Sequence, residues 1–245
     1  MDTDDRTIGQ ILSRRQVVAL LGVSGYAMLA RRPHVRALAQ GVGQAPPACV
    51  VRPQQTEGPY FVDTQLHRAD IRSDPSDGTI KAGVPLALGI VVSRLSEQAC
   101  TPLPGVMVDI WQCDADGVYS GVQDPRFSTL NQKFLRGYQL TGADGAARFT
   151  TIYPGWYQGR TVHIHFKLRS PATQRPGYEF TSQLYFQESV TDAVFAKAPY
   201  AARGRRSTLN ANDGIFRRGG AELMLATSMQ DVGYAATFHV ALEGV

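Results

Sequence analysis

The chain has 245 residues, of which 43% are hydrophobic and 19% charged, with a formal net charge of +4. That balance supports one packed domain with a full core and excludes a disordered chain. Six arginines and three aspartates lie in residues 1–39; setting them aside from the chain's 25 basic and 21 acidic residues leaves a net charge of +1, so the body offers no basic surface for nucleic acid.

Taken in chain order, the first feature is Ser13-Arg14-Arg15-Gln16-Val17-Val18, paired arginines ahead of an apolar run from Val17 to Ala30. Fourteen residues are short for a bilayer span, and Ala37-Leu38-Ala39 offers small residues for a peptidase. Residues 1–39 resemble a twin-arginine (Tat) export signal, which implies a Tat translocon as partner and a periplasmic or secreted destination. An uncleaved segment would leave the protein membrane-anchored. Residues 40–62 follow as a proline-rich extended arm ending in Thr56-Glu57-Gly58-Pro59-Tyr60-Phe61, and residues 63–245 form the remaining domain, opening with a polar loop to Ala82. Strands are predicted at Val84–Leu95, Val106–Cys113, Phe134–Thr141, Ala147–Ile152, Thr161–Leu168, Phe180–Phe186 and Tyr234–Leu242. The Gly142-Ala143-Asp144-Gly145 turn between the third and fourth reads as a hairpin. Asp124–Lys133 reads as a loop close to the site, Thr191–Ala198 and Glu222–Thr227 as short helical or irregular segments, and Arg203-Gly204-Arg205-Arg206 as a solvated basic loop. Many short strands with glycine and proline punctuation mean an all-β protein, an antiparallel β-sandwich with long loops and few short helices. Cys49, Cys100 and Cys113 are too few for a disulfide framework. An oxidising destination allows a Cys49–Cys100 bridge with Cys113 in a strand, and three unpaired thiols are the alternative.

The chemistry concentrates in Tyr153-Pro154-Gly155-Trp156-Tyr157-Gln158-Gly159-Arg160-Thr161-Val162-His163-Ile164-His165-Phe166. A strand sends residues i and i+2 to one face with Cα atoms roughly 7 Å apart, so His163 and His165 can grip one ion while Ile164 points away. No cysteine or carboxylate stands in this motif to complete a zinc or Fe(II) set. The oxygen donors nearby are phenols, and a phenol that normally ionises near ~10 is deprotonated by a directly bound trivalent cation. The residues therefore point to non-haem Fe(III). Tyr157 is favoured over Tyr153, which precedes Pro154 and ends the incoming strand; Tyr119, in Asp116-Gly117-Val118-Tyr119, is by spacing equally a ligand or a turn tyrosine.

These motifs resemble the intradiol ring-cleavage dioxygenases, the family of protocatechuate 3,4-dioxygenase and catechol 1,2-dioxygenase. The likeness runs from about Thr56 to Phe186 and includes Thr56–Tyr60, Pro104–Tyr119 with Trp111, Gly142–Gly145 with Phe149, Pro154–Tyr157, Arg160–Phe166 and Thr181–Phe186. The resemblance implies a non-haem Fe(III) enzyme that inserts both atoms of O2 into a catechol-type diol to give a cis,cis-muconate-type product. Its metal ligands fall on Tyr119, Tyr157, His163 and His165. Tyr157 is also implied as the displaceable base, Arg160 as the group stabilising anionic substrate, and Gln183 as the glutamine near the site. A structural salt bridge is the other reading of Arg160, and Trp111 and Trp156 read as core and wall packing. The six-residue step from Tyr157 to His163 is shorter than in the namesake enzymes, and no helical N-terminal dimerisation domain is visible, so the diol and the subunit number, homo-oligomer included, do not carry over. The rival readings are a non-catalytic transthyretin-like or adhesion-type β-sandwich binding module, and a β-sandwich metalloenzyme with a different metal.

Overall fold

A computed structural model describes residues 49–245 except 98, 172, 173 and 176. The export-signal expectation and the start of the arm lie outside the described residues. Among the described residues eleven strands follow one another: β1 (Pro85–Ser96), β2 (Ala99–Pro102), β3 (Met107–Trp111), β4 (Gln123–Asp124), β5 (Phe127–Ser128), β6 (Arg136–Leu140), β7 (Ala146–Ile152), β8 (His163–Arg169), β9 (Glu179–Tyr185), β10 (Thr227–Met229) and β11 (Tyr234–Glu243). Among the described residues one helix, α1 (Glu188–Phe195), follows β9, and 3-10 turns cover Tyr200–Arg203, Asn210–Asn212 and Gly220–Leu223.

Two sheets carry the fold. In the first, β11 lies along one edge of β1, while β7 and β2 share the other, β7 against Pro85–Val91 and β2 against Ser93–Ser96. The second has the order β6-β3-β8-β9. Strict alternation in β1 sends Leu86, Leu88, Ile90 and Val92 inward. They meet Val108 and Ile110 from β3 and Ile164, Phe166 and Leu168 from β8 in one core, where Phe166 and Phe238 approach to 5.7 Å between ring centroids. Each such side chain contributes about 1.5–3 kcal/mol on burial. The architecture is the all-β sandwich expected, with two departures. β1 and β11 pair in parallel, the one parallel pair among the described strands. The Gly142–Gly145 turn does not close a hairpin, because β6 hydrogen-bonds β3 while β7 hydrogen-bonds β1, so the turn carries the chain from one sheet to the other. Gly145 makes this crossing with φ +72, and a Cβ there would stand 2.4 Å from the Val92 carbonyl oxygen.

Other local expectations shift. Cys113 is buried and unpaired as a thiol, but β3 ends two residues before it. The expected helical segment at Thr191–Ala198 begins three residues earlier as α1, and Glu222–Thr227 divides into a 3-10 turn and the start of β10. The Asp124–Lys133 loop contains most of the β4–β5 hairpin. The basic run at 203–206 is not simply solvated. The Arg206 side chain is 6% exposed between Glu188 and Asp192, and Arg203 stacks on Trp156 at 5.0 Å.

The described part of the arm is fixed at both ends. Cys49 is disulfide-bonded to Cys100, the Ala241 amide donates to the Val50 carbonyl, and the Gln55 amide donates to the Thr181 carbonyl. This lays Thr56–Phe61 across the outer faces of β9, β8 and β3, where Thr56 meets Gln183, Gly58 faces His165 and Phe61 packs on Trp111.

Candidate metal centre

All residues of β8 except Arg169 are buried, although the strand alternates in chemistry. Ile164, Phe166 and Leu168 enter the core, and His163, His165 and Lys167 take the opposite face under the arm. β8 thereby presents both imidazoles in one direction, as the period of two requires.

The two tyrosines arrive on loops clamped to each other. In the 114–119 loop, Asp114 Oδ1 accepts the Asp116 and Val118 amides at 3.0 Å, and Lys81 Nζ lies 2.8 Å from Asp114 Oδ2. The Gly155 amide donates to the Asp114 carbonyl at 3.1 Å. A Cβ on Gly155 would fall 2.5 Å from the Asp114 and Ala115 carbonyl oxygens, and one on Gly117, at φ +75, 2.3 Å from the Trp156 carbonyl oxygen. Only glycine allows backbones this close, and their approach brings Tyr119 and Tyr157 together.

Four donor atoms then meet. His163 Nε2 lies 3.0 Å from His165 Nε2, 3.3 Å from Tyr157 Oη and 3.4 Å from Tyr119 Oη. His163 Nδ1 is 2.6 Å from the Thr161 carbonyl, which can only accept, so Nδ1 carries the proton and Nε2 presents a lone pair to the cluster. Tyr153 stays away: its hydroxyl meets Thr191 Oγ1 at 2.7 Å, and its ring packs on Phe186.

Tyr119, His163 and His165 are at most 2% exposed. Burial, then the charge of Arg160, holds His163 down to about 3, and burial, then His163, drives His165 far below the usual imidazole range. Burial, then Tyr157, raises Tyr119 well above the phenol range; burial likewise raises Tyr157, against the pull of Arg160. Neutral imidazoles beside two phenols, with three of the four side chains buried, form an electron-rich cluster. Ligand atoms about 2.0–2.1 Å from one cation stand roughly 2.9–3.4 Å apart, so the spacing fits a shared ion. Among the described residues no group of three or more His, Cys, Asp or Glu could hold a metal. The four atoms that converge belong to two imidazoles and two phenols, and the hard, ionisable phenol oxygens would suit Fe(III).

Arg160 and Gln183 stand beside this cluster. Arg160 Nη1 lies 3.5 Å from His163 Nε2, Nη2 donates to Gln183 Oε1 at 2.5 Å, and Nε donates to Asp213 Oδ2 at 2.8 Å. Gln183 is the β9 register partner of His165, accepts Tyr185 Oη and donates to the Thr56 carbonyl. Arg160 thus belongs both to a salt bridge and to the edge of the site. Asp213, 1% exposed, carried no sequence signal because it lies 53 residues from Arg160. It also accepts the Thr161 amide at 2.8 Å, fixing the entry to β8. Burial opposes its ionisation, but the Thr161 amide and Arg160 hold its carboxyl below the usual range. Tyr60 was visible only as part of the Thr56–Tyr60 motif; its ring stacks on Tyr119 at 4.5 Å, and its hydroxyl donates to Asp124 at 2.6 Å.

A cavity of about 360 Å³ opens against Tyr157, lined by Trp156, Phe127, Arg126, Arg203 and Asp116 among others. Tyr157 is the most exposed of the four donors and the one lining this cavity.

The family pattern described as Dioxygenase (Dioxygenase_C) matches residues 56–216, which hold all four donors, Arg160, Gln183 and Asp213. The chain belongs to this dioxygenase family. It is 33% identical over 144 residues to a protocatechuate 3,4-dioxygenase beta chain from Burkholderia cepacia, an alignment covering 54% of this chain and 60% of the relative's length. The solved intradiol ring-cleavage dioxygenase from Tetranychus urticae superposes with a TM-score of 0.67 at 28% identity, covering 80% of this chain and 96% of that chain. The dioxygenase domain of a dioxygenase–carbohydrate-binding fusion from Streptomyces sp. SirexAA-E superposes with a TM-score of 0.56 at 31% identity, covering 80% and 100%.

Proposed function

We propose that this dioxygenase is a non-haem Fe(III) intradiol enzyme that inserts both atoms of O2 into a catechol-type aromatic diol, giving a cis,cis-muconate-type product. The observation that carries the reading is the convergence of Tyr119 Oη, Tyr157 Oη and His165 Nε2 on His163 Nε2 within 3.0–3.4 Å. Those four residues would hold the iron, which when bound supplies a Lewis acid that draws electron density from a diol and prepares its ring for O2.

The residues divide the remaining work. Tyr119, His163 and His165 are buried and form the fixed side of the site. Tyr157 borders the cavity and is the donor free to give way to a diol. Its phenolate, in surroundings that strongly disfavour ionisation, is a strong base and takes a diol hydroxyl proton at Oη. Arg160, held by Asp213 and Gln183, places a fixed positive charge against anionic substrate without rearranging during the reaction. Gln183 orients that guanidinium.

The test is oxygen uptake by iron-loaded protein with catechol, hydroxyquinol and protocatechuate, with product identification. The reading predicts one O2 consumed per ring and a dicarboxylate product cleaved between the hydroxyl-bearing carbons. Cleavage outside the diol, or diol binding with no oxygen uptake across the series, would overturn it.

Export is a further part of the proposal. Arg14-Arg15 and the apolar run after them support a Tat-type signal, and the Cys49–Cys100 disulfide suits an oxidising compartment. Cell fractionation of wild type and an Arg14→Lys, Arg15→Lys variant should move the protein from the exported fraction to the cytoplasm; equal export of both would count against the signal.

A further inference from the structure

The two imidazoles are held in different ways. His163 is fixed by a hydrogen bond from Nδ1 to the Thr161 carbonyl. His165 Nδ1 is buried with no hydrogen-bond partner. What orients His165 is a flat stack: its ring lies 4.9 Å from Trp111, only 8° from parallel. The two residues are register partners on adjacent strands, β3 and β8, so the contact is built into the sheet. Trp111 is braced from behind. Phe61 meets it edge-on at 4.9 Å and 61°, and Lys167 Nζ lies 4.3 Å from the centre of the Phe61 ring. Gly58 closes another side, where a Cβ would touch His165 Cε1 at 3.4 Å. The Trp111 indole N–H is itself buried without a partner, so no hydrogen bond explains this residue's place and the contact is through the ring faces.

We propose that Trp111 is the positioning residue for His165, replacing with an aromatic face the hydrogen-bond acceptor that ordinarily fixes a metal-binding histidine. The inference rests on the metal-site reading above and adds an asymmetry to it. His163 keeps its orientation through the backbone, whereas His165 keeps its own only while Trp111, braced edge-on by Phe61, stays stacked on it. His165 is then the weaker grip on the ion.

The test uses full-length holoprotein carrying Trp111→Leu, Trp111→Phe or Phe61→Leu. Iron transfer to a competing chelator is timed, and the visible charge-transfer band and the electron paramagnetic resonance of the ferric site are recorded. Trp111→Leu should release iron about 10–100-fold faster, the range for losing a ligand's outer support, with a changed ferric signal. Trp111→Phe, which restores a flat face, should bring release and spectrum back towards wild type. Phe61→Leu should fall between them and keeps the idea testable if Trp111→Leu does not fold. The inference is overturned if Trp111→Leu keeps wild-type release and spectrum, if Trp111→Phe is as impaired as Trp111→Leu, or, without a folded Trp111→Leu, if Phe61→Leu behaves as wild type. Failure of the ferric reading looks different: wild-type protein that takes up no iron and shows no visible band, a result that overturns both.

Discussion

Truncating Asp213 to alanine isolates the support behind the site. Its carboxylate accepts four hydrogen bonds: Arg160 Nε and the Thr161 amide at 2.8 Å on Oδ2, and the Ile215 and Phe216 amides at 2.7 and 3.1 Å on Oδ1. The Arg160 side chain is only 15% exposed, and Asp213 is its one ion-pair partner among the described residues. Removing one partner of a buried, hydrogen-bonded pair costs about 3–5 kcal/mol, because the other charge stays buried. For a domain of this size each kcal/mol moves Tm by roughly 2–4 °C, so Asp213→Ala should melt roughly 6–20 °C below wild type. Asp213→Asn keeps the shape and part of the acceptor set and should lose about 1–3 kcal/mol. Thermal unfolding followed by circular dichroism, with iron per chain measured on the same samples, checks both. A Tm within about 3 °C of wild type for Asp213→Ala would refute the argument that this carboxylate neutralises Arg160 and anchors the entry to β8.

Two further outcomes follow from the same geometry. His163 stays neutral down to about 3 in the folded protein because burial, and then Arg160, oppose its protonation, while in the unfolded chain it takes a proton near ~6.5. The unfolded state therefore binds more protons in that window, and metal-free protein should lose stability as pH falls from ~6.5 to ~5 at up to ~1.4 kcal/mol per pH unit for His163, with His165 adding in the same direction; urea unfolding with a flat pH dependence there would contradict this. At the cavity, the Arg203 guanidinium stacks on Trp156 and has no ion pair among the described residues, whereas Arg126 is paired with Asp124. Arg203→Gln should accordingly lower kcat/KM for a carboxylated diol about tenfold relative to a methyl-substituted one, the scale of a lost charged hydrogen bond; equal loss for both diols would remove Arg203 from substrate selection.

Much of this was legible from local pattern. The alternation of Leu86, Leu88, Ile90 and Val92 announces β1, and the His-x-His period places both imidazoles on one face of β8. Tyr157 is separable from Tyr153 because Pro154 stops the incoming strand, and β7 ends at Ile152, just before Tyr153. Features that depend on pairing between distant segments could not be read. The parallel register of β1 with β11, the sheet change at Gly142–Gly145 and the stacking of Trp111 on His165 are set by which strands become neighbours, and composition does not encode this. Asp213 is invisible for the same reason: its role exists only because the 3-10 turn at Asn210–Asn212 returns to the start of β8. The strands β2, β4, β5 and β10 have two to four residues each, too few for any period to emerge.

The most direct test of the central claim is the visible spectrum of iron-loaded wild type beside Tyr119→Phe and His163→Ala, with iron counted per chain. Phenolate bound to Fe(III) should give wild type a red-brown band that shifts when catechol is added, with one iron per chain, and both variants should lose the metal. A fully loaded protein with no such band, or variants that keep wild-type iron and colour, would contradict the assignment of these residues as ligands.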